Sequence, residues 1–453
     1  MLIVLSDTHF AESKTNKLGD VHYNHNLPAY VFKNYFNDIA SIIKNNHIKE
    51  IDIVLAGDIF EITRSGLWLE DDNLRPYVSS DLVPNTIELE NKIIQILDSI
   101  ALDPRVSETL EIIRSIQNQF DRKVNIYYIP GNHDRLLNSS LRIREKVRAL
   151  LNLDVIEDPF PNYYVHYSDG IPFALIRHGH EYDPVNFSID FRKALEIPLD
   201  IENEAYNKPV MGDFVTVEIA VKLPVYYRNY YTAEKILKDV QLLRLYQRLI
   251  EFDNVRPSTA LLNFLFSTPG IRRQETWELL EPIFVLMLDE FLQKPYLFDF
   301  LLNIDNINPS IVKLAKLFAP LRLWRFGIPF WLIKQLMKPV SKNIKLGTVV
   351  PFVSKEAGLK TDIANVQCII TGHTHVPEVE LISGEQGVQK YYINTGTWRN
   401  LIPSSSDLNQ FGRLRSKAQL VIFEPGEQNP EYSRKTGWSF DFISKIGFGS
   451  EPF

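Results

Sequence analysis

Cysteine is nearly absent from this 453-residue chain: the single thiol, Cys368, allows no internal disulfide, and nothing demands an oxidising compartment. Cys368 sits in the apolar run VQCIITG and reads as core packing. Long apolar runs are missing too. No stretch reaches the ~18 uninterrupted apolar residues of a membrane span. The N-terminal MLIVLSDTHF has only four apolar residues after Met1 and no basic leader, which argues against a secretory signal. Positive charge is in deficit, 49 Lys and Arg against 56 Asp and Glu, for a net charge of −7. That balance is unsuited to coating nucleic acid non-specifically. Internal repeats and low-complexity segments are also lacking. These absences leave a globular, cytoplasmic chain, 45% hydrophobic and 23% charged, long enough for two or three domains.

Short apolar runs recur, each ending in a polar turn: LIVLSDTH (2–9), IDIVLAGD (51–58), VNIYYIPGNHD (124–134), PFALIRHGH (172–180), VQCIITGHTH (366–375) and KYYINTGTW (390–398). Four to six β-branched and aromatic residues bounded by turn signals read as buried strands, and AQLVIFE (418–424) fits the same description. Helical patterns lie between the early strands, at 30–46 and 88–100, which makes the chain α/β. In the first five runs Asp, Asn and His fall at the carboxyl end, the edge where ligand sites form in open α/β sheets. From about 181 to 362 strand signals fade, and helical patterns such as 231–252 and 275–293 take over. The chain thus divides into 1–180, an inserted helical cap at 181–362, and 363–453, where the core resumes and the stretch from about 425 wraps the surface as a tail.

The polar turns carry the chemistry. They are Asp7-x-His9, Gly57-Asp58 with Glu61 following, Gly131-Asn132-His133-Asp134, His178-Gly179-His180 and Gly372-His373-Thr374-His375. Gly-Asp after a strand is ordinarily a turn. A carboxylate at that place, however, can also bridge two cations through its two oxygens. Asn132 offers a neutral amide oxygen, His133 can donate a proton, and each His-x-His pair can place imidazoles on adjacent metals. Six of the ten histidines fall inside these motifs. Oxygen and nitrogen donors without thiolate suit Mn, Fe, Zn or Ni in a dinuclear site better than a structural zinc.

The series DxH, GDxx(D/E), GNHD, HG, GHxH, in this order, resembles the calcineurin-like metallophosphoesterases, over roughly 1–180 and 363–425. The resemblance implies a sandwich of two mixed β-sheets flanked by helices (α/β, α+β), with the site at one edge. It implies two divalent ions, Mn²⁺ above all. One would be held by Asp7, His9, Asp58 and His375, the other by Asp58, Asn132, His178 and His373, with Asp58 bridging. His133 matches the family's catalytic histidine, and Glu61 stands where many members carry the Asp that orients it. His180 stands where relatives often carry Asp and is a candidate for contact with metal or substrate. Two cations flanking a water lower its pKa toward neutrality and supply a hydroxide nucleophile, while His133 stabilises or protonates the leaving oxygen.

The resemblance implies that the substrate is a phosphomonoester, phosphodiester or pyrophosphate. Arg64, Trp68 and Arg135 are candidates for contact with it. Trp398 and Arg399, after the turn at Asn394, either line the pocket as well or close the final sheet. A distant likeness to the UDP-2,3-diacylglucosamine hydrolases, which also insert helices between HG and GHxH, suggests a lipid-like or nucleotide-linked substrate. This chain departs from them in carrying His133 where they carry Arg, and in its longer insertion. From 311 to 355 there are nine Lys or Arg and no Asp or Glu. Trp324, Phe326, Phe330 and Trp331 are interleaved with Arg322, Arg325, Lys334 and Lys338, a pattern for peripheral membrane contact, an amphiphilic anion, or a packed cap helix with a solvated basic face. The turn Gly57-Asp58-Ile59-Phe60 also resembles the family's DNA-repair nucleases, against which the acidic charge speaks. A non-catalytic binding scaffold is the reading from another class, against which the full ligand set speaks.

Overall fold

The computed structural model describes residues 1–71, 74–77, 86–256, 260–293, 350–356, 366–384, 389–429, 431 and 437–448. Two mixed sheets face each other. The first has seven strands: β1 (Leu2–Leu5), β4 (Glu50–Ala56), β5 (Lys123–Ile129), β8 (Val255–Arg256), β12 (Asn400–Pro403), β13 (Leu414–Phe423) and β14 (Ser439–Phe448). They run in the order β5-β4-β1-β13-β12-β8, with β14 also paired to β13. The second sheet holds β6 (Tyr163–Ser168), β7 (Ile171–Arg177), β9 (Cys368–Thr371), β10 (Pro377–Ser383) and β11 (Lys390–Thr395), in the order β10-β11-β9-β7-β6. A two-stranded ribbon, β2 (Lys17–Leu18) and β3 (Val21–His22), lies apart.

Period-two alternation splits each strand between two cores. Leu2 and Val4 of β1 and Val54 and Ala56 of β4 face Ala174, Ile176, Cys368, Ile370 and Ile393 between the sheets. Ile3, Leu5, Ile53 and Leu55 point the other way. There they meet α1 (Ala29–Asn45), α2 (Thr86–Ala101), α3 (Pro104–Gln119) and α4 (Leu141–Leu151). Helix α1 buries Phe32, Tyr35, Phe36, Ile39 and Ile43 at helical spacing. Helix α3 starts on an Asp103 cap with Pro104 in the first turn. Leu175, Ile369 and Tyr392 turn outward from the second sheet against Tyr182, Phe191, Tyr206 and Val353.

Each sheet contributes three neighbouring parallel strands, β1-β4-β5 and β7-β9-β11. Their carboxyl ends carry the five polar turns, so the two rims meet at one edge of the sandwich. This is the mixed α/β architecture that the motif series implied.

The described part of the insertion is helical: α5 (Asn203–Asn207), α6 (Met211–Val215), a π-helical turn at Thr216–Val221, α7 (Lys222–Tyr231), α8 (Ala233–Lys238), α9 (Val240–Ile250), α10 (Leu261–Phe266) and α11 (Arg273–Gln293). The single helix expected at 231–252 is broken at Thr232, which lies at φ 61, and capped anew by Asp239. Helices α7 to α11 share a core of their own that also takes in Leu18 and Ile402, whereas α5 packs beside the second sheet and α6 joins the core of the first. Strand β8, inside the insertion, adds to the edge of the first sheet by pairing Val255 with Ile402. Among the described residues no helix is long and apolar enough to cross a membrane. The basic aromatic segment expected at 311–355 lies almost wholly outside them. The stretch after 425, expected to wrap the surface, instead supplies β14, because alternating Phe440 and Phe442 pack against the inter-sheet core.

One polar tie joins the sheets away from the rim. His166 on β6 sits 3.2 Å from Asp52 on β4 and 3.2 Å from Glu424 after β13, while Tyr164 donates to Asp52 at 2.8 Å. Burial works to lower the His166 pKa, but Asp52 and Glu424 hold it above its ordinary value. Its contribution to stability is therefore complete below the unfolded value, about 6.5, and is lost as pH rises through the higher folded value. Urea unfolding is expected to show the stability gap between wild type and His166→Leu narrowing as pH rises above about 6.5. A gap that holds constant or widens would contradict the assignment.

Candidate metal centre

The ligand-bearing turns are built on unusual backbone. Asp7, His9, Asp58, His373 and His375 all lie at positive φ, between 46 and 70°. Non-glycine residues pay for that region sterically and hold it only where the surroundings over-determine them. Here the surroundings are backbone ties between turns: Asp7 N–H donates to Gly57 O at 3.0 Å, His9 N–H to Asp58 O at 2.9 Å, and Gly372 N–H to His178 O at 2.8 Å. Glycines allow the close approach. A Cβ at Gly57, itself at φ 86, would overlap the His178 ring, and one at Gly372 would overlap the Asp7 carboxylate. Asp134 staples the GNHD turn, its carboxylate accepting from Ile59 N–H and Tyr128 O–H, both at 2.8 Å.

The seven expected ligands come together around Asp58. Its Oδ1 accepts from His133 N–H at 2.8 Å, whereas Oδ2 is buried and makes no hydrogen bond among the described residues. That oxygen lies 3.1 Å from His178 Nε2 and 3.7 Å from His9 Nε2. On one side His178 donates through Nδ1 to Ala56 O at 2.9 Å, which in the neutral ring leaves a lone pair on Nε2. His373 donates through Nε2 to Asp183 Oδ2 at 3.2 Å, leaving its lone pair on Nδ1. Those lone pairs approach Asn132 Oδ1 at 3.2 Å and 3.0 Å. With both rings in the neutral form that a metal requires, four acceptors converge, an arrangement that a cation resolves. The residues fit a metal.

On the other side His9 donates through Nδ1 to Glu61 Oε2 at 2.9 Å, and its Nε2 lies 2.9 Å from His375 Nε2. His375 Nε2 is 3.3 Å from Asp7 Oδ1. Asp7, His9 and His375 form one compact donor group, and Asp58, His178 and His373 another. A third, His9, Asp58 and His133, includes the expected acid rather than a ligand. The carboxylates and imidazoles of the site shift one another strongly. Burial works to raise the Asp58 and Asp7 pKa values, yet the surrounding imidazoles keep both carboxyls far below the usual range. Burial works to lower His178, yet Asp58 lifts it to about 10.

His133 is held through Nδ1 by Glu61 Oε1 at 2.6 Å and by Thr63 Oγ1 at 3.0 Å. Its side chain keeps 16% exposure beside the fully buried Glu61. Arg399 Nη1 lies 3.4 Å from Glu61 Oε2. His180 is buried against Phe187 and Tyr206, and burial brings its pKa down to about 4, so its ring stays neutral.

The substrate candidates are placed differently. The Arg135 guanidinium is taken up by Asp213 at 2.7 Å and by the carbonyls of Pro76 and Asn207. Arg64 Nη2 donates to Ile250 O at 2.8 Å. Trp68 is buried, with its indole N–H on Ile62 O, and Trp398 stacks on Phe32 in the core. In these positions all four tie the core or join it to the insertion.

Three residues that touch the centre were missed from sequence: Asp183, Thr63, and Arg256 on β8, whose Nη2 donates to His375 Nδ1 at 2.7 Å. Asp183 lies only three residues past His180, which was the one available signal. A cation taking His375 through Nε2 requires that ring's proton on Nδ1, so Arg256 must then let go.

Among known proteins, the family model described as calcineurin-like phosphoesterase matches residues 2–247. No curated protein matches the chain. The geometry carries a direct expectation: protein stripped of metal and reconstituted with Mn²⁺ retains about two ions per chain, and Asp58→Asn fewer than about one. Elemental analysis after desalting measures this, and retention of both ions by the variant would show that Asp58 Oδ2 is not shared.

Proposed function

The chain belongs to the calcineurin-like phosphoesterase family and is a metal-dependent phosphoester hydrolase, and from that premise we propose that its reaction runs at a dinuclear centre bridged by Asp58. The observation that carries this reading is the buried Asp58 Oδ2, which has no hydrogen bond among the described residues and is flanked by two compact donor groups. Asp7, His9, Asp58 and His375 would hold one ion, and Asp58, Asn132, His178 and His373 the other. Manganese is the proposed metal, since the donors are carboxylate, amide and imidazole without thiolate. When bound, the two cations polarise the phosphoryl oxygens and activate the attacking water.

The protein's own residues do the rest. Glu61 holds His133 through Nδ1, which leaves Nε2 to carry a proton to the departing oxygen. The same carboxylate holds His9 through its other oxygen, so one buried group orients both a ligand and the acid. Arg399 and Thr63 brace that carboxylate and His133. Released from His375, Arg256 would offer a planar fork to an anionic substrate. The inserted helices at 181–362 are proposed as the part that selects the substrate. An amphiphilic substrate and contact with a membrane surface rest on the sequence of 311–355 alone.

The test is hydrolysis of bis-p-nitrophenyl phosphate and p-nitrophenyl phosphate by chelated protein with Mn²⁺ restored. Turnover is expected only with metal, and to be lost in Asp58→Asn; the ratio of the two rates ranks diester against monoester. His133→Ala should cost about 10²–10⁴-fold in kcat on an alkyl or phenyl ester and less on the p-nitrophenyl ester, whose leaving group needs no proton. Equal losses on both would remove His133 from the acid role.

A further inference from the structure

Each half of the centre has one histidine whose outer nitrogen is gripped by a carboxylate, but the two grips differ. On the Asp7 side the grip is Glu61, fully buried, and it comes from the core turn that follows β4. On the other side it is Asp183, 35% exposed, and it comes from the first turn of the insertion. We propose that Asp183 positions His373 for the second cation and sets the affinity of that ion, independently of the first. The inference rests on the metal-dependent reading of the site.

The geometry is specific. Asp183 Oδ2 takes the Nε2 proton of His373 at 3.2 Å, which fixes the tautomer and aims the Nδ1 lone pair at the point shared with Asn132, His178 and Asp58. A carboxylate behind a ligating imidazole both orients the ring and raises its basicity. Asp183 is itself held, with Oδ2 accepting from Asn186 Nδ2 at 2.7 Å and Oδ1 from Val185 N–H at 2.9 Å. Asn186 reaches onward, its Oδ1 lying 3.5 Å from Asn132 Nδ2. One short turn, 183–186, therefore touches two of the four groups that would hold the second ion. That turn is anchored within the insertion by Gly212 N–H donating to Val185 O at 2.9 Å, and a Cβ at Gly212 would overlap Asn186.

Two consequences follow. The second ion is the weaker and more exchangeable of the pair, because its outer carboxylate is reached by solvent and shares its charge with water. Occupancy of that ion is also coupled to the seating of the insertion, since a shift of the turn loosens His373 and Asn132 together. Asp183 acts through His373 and is a positioning residue.

The experiment is a calorimetric Mn²⁺ titration of the full chain after chelation, with ions counted per chain. Wild type is expected to bind two ions with unequal affinity. Asp183→Ala should weaken the second by about 10–100-fold while leaving the first within roughly threefold. Asp183→Asn should fall between, because its amide oxygen still accepts from Nε2 without the charge. Asn186→Ala, which leaves the carboxylate in place, should weaken the same ion by a smaller factor and keeps the test open if the Asp183 variants fail to fold. Unchanged affinities at both sites, or equal losses at both, would overturn the proposal. A wild type that binds no metal would instead sink the metal-dependent reading itself.

Discussion

A buried carboxylate oxygen is expensive unless charge offsets it, and Asp58 Oδ2, with no hydrogen bond among the described residues and His178 Nε2 3.1 Å away, is such an atom at the meeting point of both sheets. Much of the local structure can be understood as what keeps it there. The backbone of five ligand residues is forced into the left-handed region so that their side chains turn inward from strand ends. Gly57 and Gly372 bring the turns closer than any side chain would allow. The outer nitrogens of His9, His178 and His373 are each committed to an oxygen of Glu61, Ala56 or Asp183, so their inner nitrogens point lone pairs at the same place. Strain, close approach and converging acceptors are costs taken by themselves. They become an asset once positive charge sits among them.

Arginine dominates the joint between this centre and the inserted helices. Arg64 reaches Ile250, Arg75 reaches Glu218, Arg135 reaches Asp213, Arg228 reaches Thr15, and Arg413 reaches Glu251. Arg75 and Arg135 are buried, where a guanidinium is tolerated only with its fork filled, as carboxylates and carbonyls fill it here. Such ties fix geometry more than they add stability. With β8 extending the first sheet, the described helices are seated on the core as a wall, and Asp183 and Arg256 bring that wall to the ligands themselves.

The candidate ligands were legible because each closes an apolar run with Asp, Asn or His, and strand ends at one rim gather what sequence scatters. Strands β1, β4, β5, β7, β9, β11 and β13 were legible for the same reason, whereas β6, β10 and β12 were not read from sequence. What escaped has a common cause: it depends on packing between segments that share no motif. Arg135 looked like a phosphate clamp from its place after GNHD, but Asp213 is 78 residues away in sequence and takes its fork. Glu61 looked like a partner of His133 alone, and only the fold brings His9 to its second oxygen. Strand β14 was hidden by the Pro- and Gly-rich stretch around it, although Phe440 and Phe442 alternate as a strand should. The two-residue β8 is too short for any periodic signal.

The most direct test of a shared Asp58 is anomalous diffraction from crystals of the protein soaked in Mn²⁺. The account predicts two peaks about 3.5–4 Å apart, as in other two-metal sites, flanking Asp58 Oδ2, with Asp7, His9 and His375 on one and Asn132, His178 and His373 on the other. A single peak, or two peaks that do not share Asp58, would contradict it.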